Sequence, residues 1–278
     1  MSASSAASSI ASKQIVLVMG AGPGTGFSIA KRFAAAGHPV GLLSRTQANL
    51  DPLVESINAT HASQPASHRP PPARAFAADA TNAASVRSAV EQAAAAWGPD
   101  AYLYGGVMNT TSFHRAAFLE TSEADIRALF DGQVLGVLHF GQALLRAISA
   151  RPGFPTQRYP ADAPSSMPNG FLFVTGASAG LRGNANFGAF AAAKFGVRGL
   201  TQSIAREYGP QGIHVSHIVV DGIIRTERTL KMLAGKGPED EQGWLNPDDI
   251  AETYFALAQQ PRNAFTHEID IRPGGEKW

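Results

Sequence analysis

Short apolar runs alternate with longer segments of helical periodicity along most of the chain. The apolar runs, which are rich in strand-forming residues, lie at 14–19, 38–43, 74–78, 102–106, 171–174, 213–220 and 266–271. The run Gln14–Met19 is apolar without alternation, which is typical of a strand buried on both faces of a parallel sheet. The repeated order of strand and helix signals indicates an α/β fold with helices on both faces of the sheet. We therefore expect a doubly wound, mostly parallel sheet of seven strands.

A glycine-rich turn follows the first strand and leads into a helical segment at residues 20–37. Its glycines have the spacing G-x-x-x-G-x-G. Glycines allow a tight turn and a close approach of the backbone to a pyrophosphate, and the helix N-terminus offers N–H groups to the anion. We interpret the turn as the dinucleotide-binding site of a Rossmann fold rather than as a purely structural turn. The predicted cofactor contacts are Gly20, Gly22, Pro23, Gly24, Thr25 and Gly26.

The second strand ends at Ser44 and Arg45, which we also expect to contact the cofactor. Dinucleotide folds that take NAD usually place an acidic residue here, where it binds the ribose 2′-hydroxyl. This chain has no acid at that point, and Arg45 is able to pair with a 2′-phosphate. The sequence therefore predicts NADP(H), with NADPH favoured over NADH. The alternative is that Arg45 is a solvated loop residue.

Residues 173–200 combine a strand, a glycine-rich turn and a helix that carries Lys194. This segment resembles the catalytic segment of the short-chain dehydrogenase/reductase family, whose signature is a serine after the strand and then YxxxK on the helix. Lys194 matches the signature lysine, but Phe190 stands at the tyrosine position. The chain is thus similar to a divergent branch of the family with phenylalanine in place of the catalytic tyrosine.

The resemblance implies a role for each position of this signature. In the family, the tyrosine is the acid or base, the lysine lowers its pKa and binds the nicotinamide ribose, and the serine hydrogen-bonds the substrate oxygen. We expect Lys194 to bind ribose rather than to lie on the helix surface, because its neighbours are mostly small or apolar. Counting back from Phe190 places the serine at Ala177 or Ser178; we select Ser178, with Thr175 as a weaker candidate. Phe190 has no hydroxyl, and loss of a positioned general acid typically costs about 100- to 10,000-fold in rate.

The resemblance extends from about Gln14 to Gly275 and therefore implies a single domain, residues 14–278. The family's aspartate beside adenine corresponds to Asp79, followed by Ala80. Its P-G-x-x-x-T motif, which holds the nicotinamide carboxamide, corresponds to residues 221–226, with Asp221 in place of proline. The further cofactor contacts implied are Asp79, Ala80, Gly222, Ile224 and Thr226.

Two more positions depart from the family pattern. The family's N-N-A-G sequence on the fourth strand is replaced by residues 104–107, where we expect Gly105 and Gly106 to keep the backbone close to the cofactor. The helical asparagine that helps to hold a proton-relay water corresponds to Gln133. The long helix after Ser122 forms subunit contacts in the family, which implies a homodimer or homotetramer.

Three functions fit these residues. The first is an NADPH-dependent reductase of a small carbonyl, enone or imine, in which the proton comes from water, Ser178, Asp221 or His114. The second is a cofactor-binding pseudoenzyme that acts as a partner subunit or a sensor. The third is a non-redox isomerase or cyclase that reuses the same pocket. The label of oxidoreductase, carried by the fold alone, is weak evidence about chemistry.

Composition and charge give no sign of a nucleic-acid or membrane partner, so we expect the partner to be a small-molecule substrate. The net charge is +1 with 16% charged residues, and no basic stripe indicates nucleic acid or an anionic membrane. We expect no membrane span, and the absence of cysteine fits a reducing compartment, so we expect a cytoplasmic protein. His214 and His217 lie three residues apart on a predicted strand and should face opposite sides, so we predict no metal site.

The remaining segments are predicted to lack regular structure. Residues 1–13 are rich in serine and alanine and are expected to be a disordered tail. Proline-rich insertions lie near 59–73 and 150–169. Residues 227–245 are expected to form the substrate loop.

Overall fold

A parallel sheet of seven strands forms the centre of the computed structural model, which describes residues 11–65, 69–110, 112–155 and 167–275. The strand order is β3-β2-β1-β4-β5-β6-β9. These strands are β1 (Gln14–Met19), β2 (Val40–Ser44), β3 (Arg74–Ala77), β4 (Tyr102–Met108), β5 (Gly170–Gly176), β6 (Ile213–Val220) and β9 (Glu268–Ile271). A separate pair consists of β7 (Ile223–Ile224) and β8 (Trp244–Leu245). The predicted single-domain, doubly wound Rossmann fold is confirmed.

Helices cover both faces of this sheet. They are α1 (Thr25–Ala35), α2 (Gln47–Ala62), α3 (Ala83–Ala95), α4 (Glu123–Leu129), α5 (Gly136–Ser149), α6 (Gly188–Tyr208), α7 (Glu227–Leu233) and α8 (Pro247–Ala258). Helices α1, α2 and α8 bury apolar side chains such as Phe33 and Tyr254 against one face. Helices α3, α5 and α6 bury Leu144, Val197 and their neighbours against the other face. The apolar strand runs are thus buried on both sides, as expected for parallel strands.

Strand β4 contains a β-bulge that the sequence pattern does not reveal. Ile15 pairs with Leu103, but the next residue of β1, Val16, pairs with Gly105. Tyr104 is therefore an extra residue in β4, and its side chain packs in the same core cluster as Phe171. A bulge of this kind shifts the side-chain alternation of the strand beyond it.

Three of the predicted element boundaries differ in the structure. Helix α2 continues to Ala62, into the predicted insertion at 59–73, because residues 53–64 contain neither glycine nor proline. The segment Phe130–Leu135 is π-helical and divides α4 from α5. The predicted substrate loop contains α7 and β8 rather than irregular chain only. Parts of the predicted tail and of both insertions, at 1–10, 66–68 and 156–166, lie outside the described residues.

The helical stretch Glu123–Ser149 has the length and composition of a membrane-spanning helix. Its most apolar window is 44% buried inside the fold, and Phe140 and Leu144 pack against the sheet. A core helix of a soluble protein meets the same criterion, so this stretch is weak evidence for a membrane span.

Candidate active site

A cleft of about 1010 Å³ opens where strands β1 to β4 end. In an open α/β sheet, ligands bind in the crevice at the carboxyl ends of the strands. The cleft is lined by most of the predicted adenosine and pyrophosphate contacts, namely Gly20, Gly22, Pro23, Ser44, Arg45, Asp79 and Ala80. The structure therefore brings these sequence positions together in one cavity.

The glycine-rich turn has the shape of an anion cradle. Gly20 has φ +85°, and a Cβ atom there would lie 2.8 Å from the carbonyl carbon of Asn109. Gly24 has φ +139° and provides no side-chain cap for helix α1, which begins at Thr25 and buries Gly26 in its first turn. A Cβ atom on Gly22 would meet no atom within 4 Å. An uncapped helix N-terminus beside an open backbone fits the pyrophosphate of a dinucleotide.

The outer part of the cleft combines one acid with two cations. The amide and hydroxyl of Thr81 donate to Asp79 Oδ1 at 3.0 and 2.9 Å. These hydrogen bonds, together with the charge of Arg45, lower the pKa of Asp79. Arg228, a residue of helix α7, also lines the cleft. Sequence reasoning missed Arg228, because only tertiary folding brings α7 over the cofactor turn.

Gly105 and Gly106, which we expected to contact the cofactor, are not among the residues that line this cleft. Both glycines lie in the interior of the sheet, where added Cβ atoms would meet the rings of Phe171 and Phe140 at 2.3 and 2.7 Å. The bulge at Tyr104 lengthens β4, so the strand reaches the cleft only after Met108. Asn109 and Thr110 line the cleft instead, and their position directly after a strand was the signal that could have identified them.

Asn109 connects the cleft to the lysine of the candidate catalytic segment. The Thr175 hydroxyl donates to Asn109 Oδ1 at 2.9 Å and also lies 2.7 Å from the hydroxyl of Tyr254. Lys194 Nζ donates to the Thr175 carbonyl oxygen at 3.3 Å. The Thr175 hydroxyl is thus already in contact with Asn109 and Tyr254. This makes Thr175 a poor substitute for the signature serine.

Lys194 is 2% exposed, so it is not a helix-surface lysine. Burial in apolar surroundings disfavours the charged form of an amine. It lowers the pKa of Lys194 from 10.5 to about 8. Lys194 therefore holds its proton at neutral pH but loses it at a lower pH than an ordinary lysine.

Phe190 occupies an apolar environment one helical turn before Lys194. Its ring packs edge-on against Phe113 at 5.5 Å between ring centroids, and it belongs to a buried cluster with Leu129 and Ala179. Lys194 Nζ lies 5.8 Å from the centre of the Phe190 ring.

Ser178 opens a short 3-10 turn, Ser178–Gly180, directly after strand β5. Its carbonyl oxygen accepts hydrogen bonds from the amides of Leu181 and Arg182 at 2.8 and 3.1 Å. Its side chain is half-buried, and its Oγ makes no hydrogen bond within the described part of the chain. The hydroxyl of Ser178 is thus available to a ligand, whereas Ala177 has no polar side-chain group.

Gln133 is buried in the π-helical segment, 1% exposed. Its Nε2 donates to the Ser112 carbonyl at 2.9 Å, and its Oε1 has no partner among the described residues. Thr110 Oγ1 donates to the Gly132 carbonyl at 3.2 Å, which fastens this segment to the end of β4. π-helical turns are frequent at functional sites, and this one brings a buried amide oxygen beside the cleft.

The segment after β6 closes over the glycine-rich turn. Thr226 caps helix α7, and its Cγ2 is 2.9 Å from the place that a Cβ on Gly24 would take. Gly222 has φ +149° and lies against Pro273, while Ile224 belongs to β7. Thr226 therefore lies at the predicted cofactor turn. Gly222 and Ile224 lie in the segment that leads from β6 to it.

A family model described as short chain dehydrogenase matches residues 14–236. The chain belongs to the short-chain dehydrogenase family. It is 25% identical over 265 residues to the 3alpha-hydroxysteroid dehydrogenase of Mediterraneibacter gnavus, covering 92% of this chain and 94% of that protein. A short-chain dehydrogenase structure from Rhodopseudomonas palustris has 31% identity and a TM-score of 0.70, covering 94% of this chain and 99% of the other.

The fold is also that of an NADPH-bound short chain oxidoreductase from Pseudomonas aeruginosa PAO1 described as having an atypical catalytic center. That structure is 18% identical with a TM-score of 0.79 and covers 96% of this chain and 98% of its own. At this identity the similarity establishes the fold alone. Membership of the short-chain dehydrogenase family makes this chain an oxidoreductase by type, with a nicotinamide-binding fold.

The two histidines of β6 lie on opposite faces of the sheet. His214 Nδ1 and Nε2 lie 3.0 and 2.9 Å from the carbonyl oxygens of Leu257 and Thr266, on the α8 side of the sheet. His217 Nδ1 lies 2.9 Å from Glu268 Oε2, and His217 interacts electrostatically with Lys194 of α6 on the opposite side. The predicted opposite orientation is confirmed, and the described residues contain no group of three or more metal-ligating side chains.

Proposed function

We propose that this chain is an NADPH-dependent reductase of a small carbonyl, enone or imine, with an active site that works without the usual tyrosine. The observation that carries the proposal is the chain of contacts from the cofactor cleft through Asn109 and Thr175 to the buried Lys194. A buried lysine with a lowered pKa beside a cleft is a functional-site candidate.

The preference for NADPH rests on the charges of the outer cleft. Arg45 follows β2 directly, where a fold that takes NAD usually carries an acid. Arg228 lines the same cavity, so two guanidinium groups are available to the phosphates. Arginine binds phosphate in a bidentate manner, which a ribose hydroxyl does not reproduce.

Each residue then has a defined task. Bound NADPH would supply the hydride. Lys194 would bind the hydroxyls of the cofactor ribose, and Ser178, whose hydroxyl makes no contact within the described residues, would bind the substrate oxygen or nitrogen. Lys194 has a pKa of about 8, so it is protonated at neutral pH; it would give this proton through water to the substrate oxygen or nitrogen when the hydride is transferred, and would then take a proton from solvent.

Two of the other proposed proton donors, Asp221 and His114, each lie beside an ionisable side chain. Asp221 lies 2.7 Å from the Arg272 guanidinium. His114 lies 3.7 Å from Asp125, at the start of α4. A conjugated enone or an imine would need an acid less than a simple ketone, which favours these substrate classes.

The packing of Phe190 against Phe113 favours a second candidate, a cofactor-binding protein without turnover. In that case the apolar ring fills the space in which a substrate would be protonated. The two candidates differ in whether bound NADPH is consumed.

The deciding experiment follows NADPH absorbance with a panel of ketones, aldehydes, enones and imines. We expect the wild type to oxidise NADPH with an enone or imine, and Lys194→Met to lose about 100-fold or more of that rate. Phe190→Tyr tests whether a tyrosine hydroxyl at this position raises the rate. Phe187→Tyr, which adds a hydroxyl to a neighbouring ring, is its control. Binding of NADPH without oxidation by the wild type or by Phe190→Tyr would favour the second candidate.

We propose a homodimer or homotetramer as the working form. Apolar side chains are exposed along α4, the π-helical segment and α6, namely Ile126, Leu135 and Phe195 at 40%, 38% and 45%. Such residues mark an interaction surface when they are contiguous. A Phe195→Glu variant that keeps the wild-type molecular mass in solution would contradict this surface.

A further inference from the structure

His217 is a buried titratable group that the proposed chemistry does not use. It lies in the middle of β6 with no solvent exposure. Its Nδ1 is 2.9 Å from Glu268 Oε2, whereas its Nε2 has no hydrogen-bond partner among the described residues. A fully buried polar atom without a partner is rare in native structures and calls for an explanation.

Glu268 and Arg198 determine which nitrogen of His217 carries the proton. Arg198 Nε and Nη2 donate to the two oxygens of Glu268, each at 2.7 Å. This ion pair lowers the pKa of Glu268, which therefore is a carboxylate at neutral pH. Burial lowers the pKa of His217, so its ring is neutral. A neutral ring that donates from Nδ1 to a carboxylate leaves Nε2 as an acceptor.

This acceptor lies against the stretch of β5 that Lys194 also contacts. A Cβ atom on Gly176 would lie 2.2 Å from His217 Nε2, so only a glycine leaves room for the ring at this place. The residue before it, Thr175, provides the carbonyl that accepts from Lys194 Nζ at 3.3 Å. The charge of Lys194 acts on His217 and contributes to lowering its pKa. Nε2 and the ammonium group thus adjoin the same short stretch of β5.

We propose that His217 is a positioning residue for Lys194, offering its Nε2, through one water, as the acceptor that keeps the ammonium group charged and aimed at the ribose site. Glu268 holds the ring from β9, and Arg198 holds Glu268 from α6. The charged groups that face His217 are Glu268 from β9 and Lys194 and Arg198 from α6; Val174 and Gly176 of β5 carry no charge. The functional value of this arrangement rests on the proposed role of Lys194 in cofactor binding.

The test measures the protonation of Lys194 itself in the cofactor-free chain. Isotope-labelled lysine side chains are titrated by NMR, and the signal of Lys194 among the six lysines is assigned with Lys194→Arg. His217→Leu removes the acceptor, and we expect the pKa of Lys194 to fall by about one pH unit, since a hydrogen bond to the charged form favours that form. His214→Leu is the matched control, because it removes a buried histidine from the same strand on the opposite face.

The second variant is His217→Gln, which retains a polar acceptor without titrating near neutral pH. We expect it to restore the pKa of Lys194 toward the wild-type value. Unfolding midpoints of all variants show whether each is folded at the pH of measurement. The proposal is overturned by a wild-type pKa of Lys194 in a folded His217→Leu variant, by a pKa in folded His217→Gln that falls as far as in His217→Leu, or by an equal change in His214→Leu.

Cofactor binding gives a second readout, separate from turnover. We expect NADPH affinity to fall about tenfold in His217→Leu at neutral pH and to remain within about twofold of wild type in His214→Leu. An altered Lys194 titration in a chain that never oxidises NADPH would preserve the positioning role and refute the reductase. An unaltered Lys194 titration in an enzyme that oxidises NADPH would refute the positioning role and preserve the reductase.

Discussion

Lys194 Nζ donates a hydrogen bond to the carbonyl oxygen of Thr175 at 3.3 Å, and the hydroxyl of Thr175 donates to Asn109 Oδ1 at 2.9 Å. Thr175 of β5 therefore contacts the lysine through its backbone carbonyl and the cleft residue Asn109 through its side chain. This relationship joins helix α6 to the end of β4 through a single residue of β5.

The charge of Lys194 predicts the pH dependence of cofactor binding. Lys194 is cationic below a pKa of about 8, and a charge-assisted hydrogen bond to the ribose is lost when it deprotonates. We expect NADPH affinity to fall about tenfold or more as pH rises through about 8. Fluorescence titration measures the affinity, and Lys194→Met should bind weakly at every pH. A wild-type affinity that stays constant over this range would contradict the assignment.

The same burial predicts a stability gain in Lys194→Met. The pKa of Lys194 falls from 10.5 to about 8 on folding, so the unfolded chain binds more protons between these values and wild-type stability rises with pH there. Below about pH 8 the buried charge costs about 3 kcal/mol of unfolding free energy at most.

We therefore expect Lys194→Met to be more stable than the wild type at neutral pH, with an advantage that disappears as pH rises from about 8 to 10.5. Chemical denaturation at several pH values measures the difference. Lys31→Met is the control, because Lys31 is exposed and pairs with Asp248 at 2.8 Å; its effect should stay below about 1 kcal/mol. A Lys194→Met variant that is less stable at neutral pH and unaffected by pH would refute the desolvation argument.

Arg45 is predicted to select the cofactor. We expect Arg45→Ala to lower NADPH affinity by about 10- to 100-fold and to leave NADH affinity nearly unchanged, because only NADPH carries the 2′-phosphate. Arg228→Ala should weaken binding in addition. Arg225→Ala is the matched control, since the Arg225 guanidinium pairs with Glu241. Equal losses for both cofactors in Arg45→Ala would remove the basis of the NADPH preference.

Gly20 and Gly98 form a natural pair for testing the close approach at the cofactor turn. Both have positive φ, +85° and +89°. An added Cβ at Gly20 meets the Asn109 backbone at 2.8 Å, whereas one at Gly98 meets nothing within 4 Å. We expect Gly98→Ala to cost about 1–2 kcal/mol of unfolding free energy through backbone strain alone, and Gly20→Ala to cost about 1–3 kcal/mol more. Equal costs would show that the approach to Asn109 is not tight.

Much of the fold was readable from local pattern because each strand is a continuous apolar run and the cofactor turn has a distinctive glycine spacing. The cleft residues from Gly20 to Arg45 follow from that spacing and from the end of β2. These residues lie on two short continuous segments, so they can be identified with little knowledge of the tertiary structure.

The parts that sequence could not predict depend on contacts between distant segments. Arg228 reaches the cleft only because α7 packs over Gly24, and the partners of His217 come from β9 and α6. The end of α2 was misplaced for another reason: a composition rich in proline after residue 65 obscured the helix-compatible residues before it.

The bulge in β4 decides which side chain the sheet presents to the cofactor. Tyr104 and Gly105 both face the α8 side, as their contacts with Phe171 show, so every later residue of β4 is inverted relative to an unbroken strand. Asn109 consequently faces Thr175 instead of the opposite layer. Without the extra residue in the pairing, the same sequence would turn Asn109 toward the opposite layer, so the side chain that lines the cleft is set five residues upstream, in the dry interior.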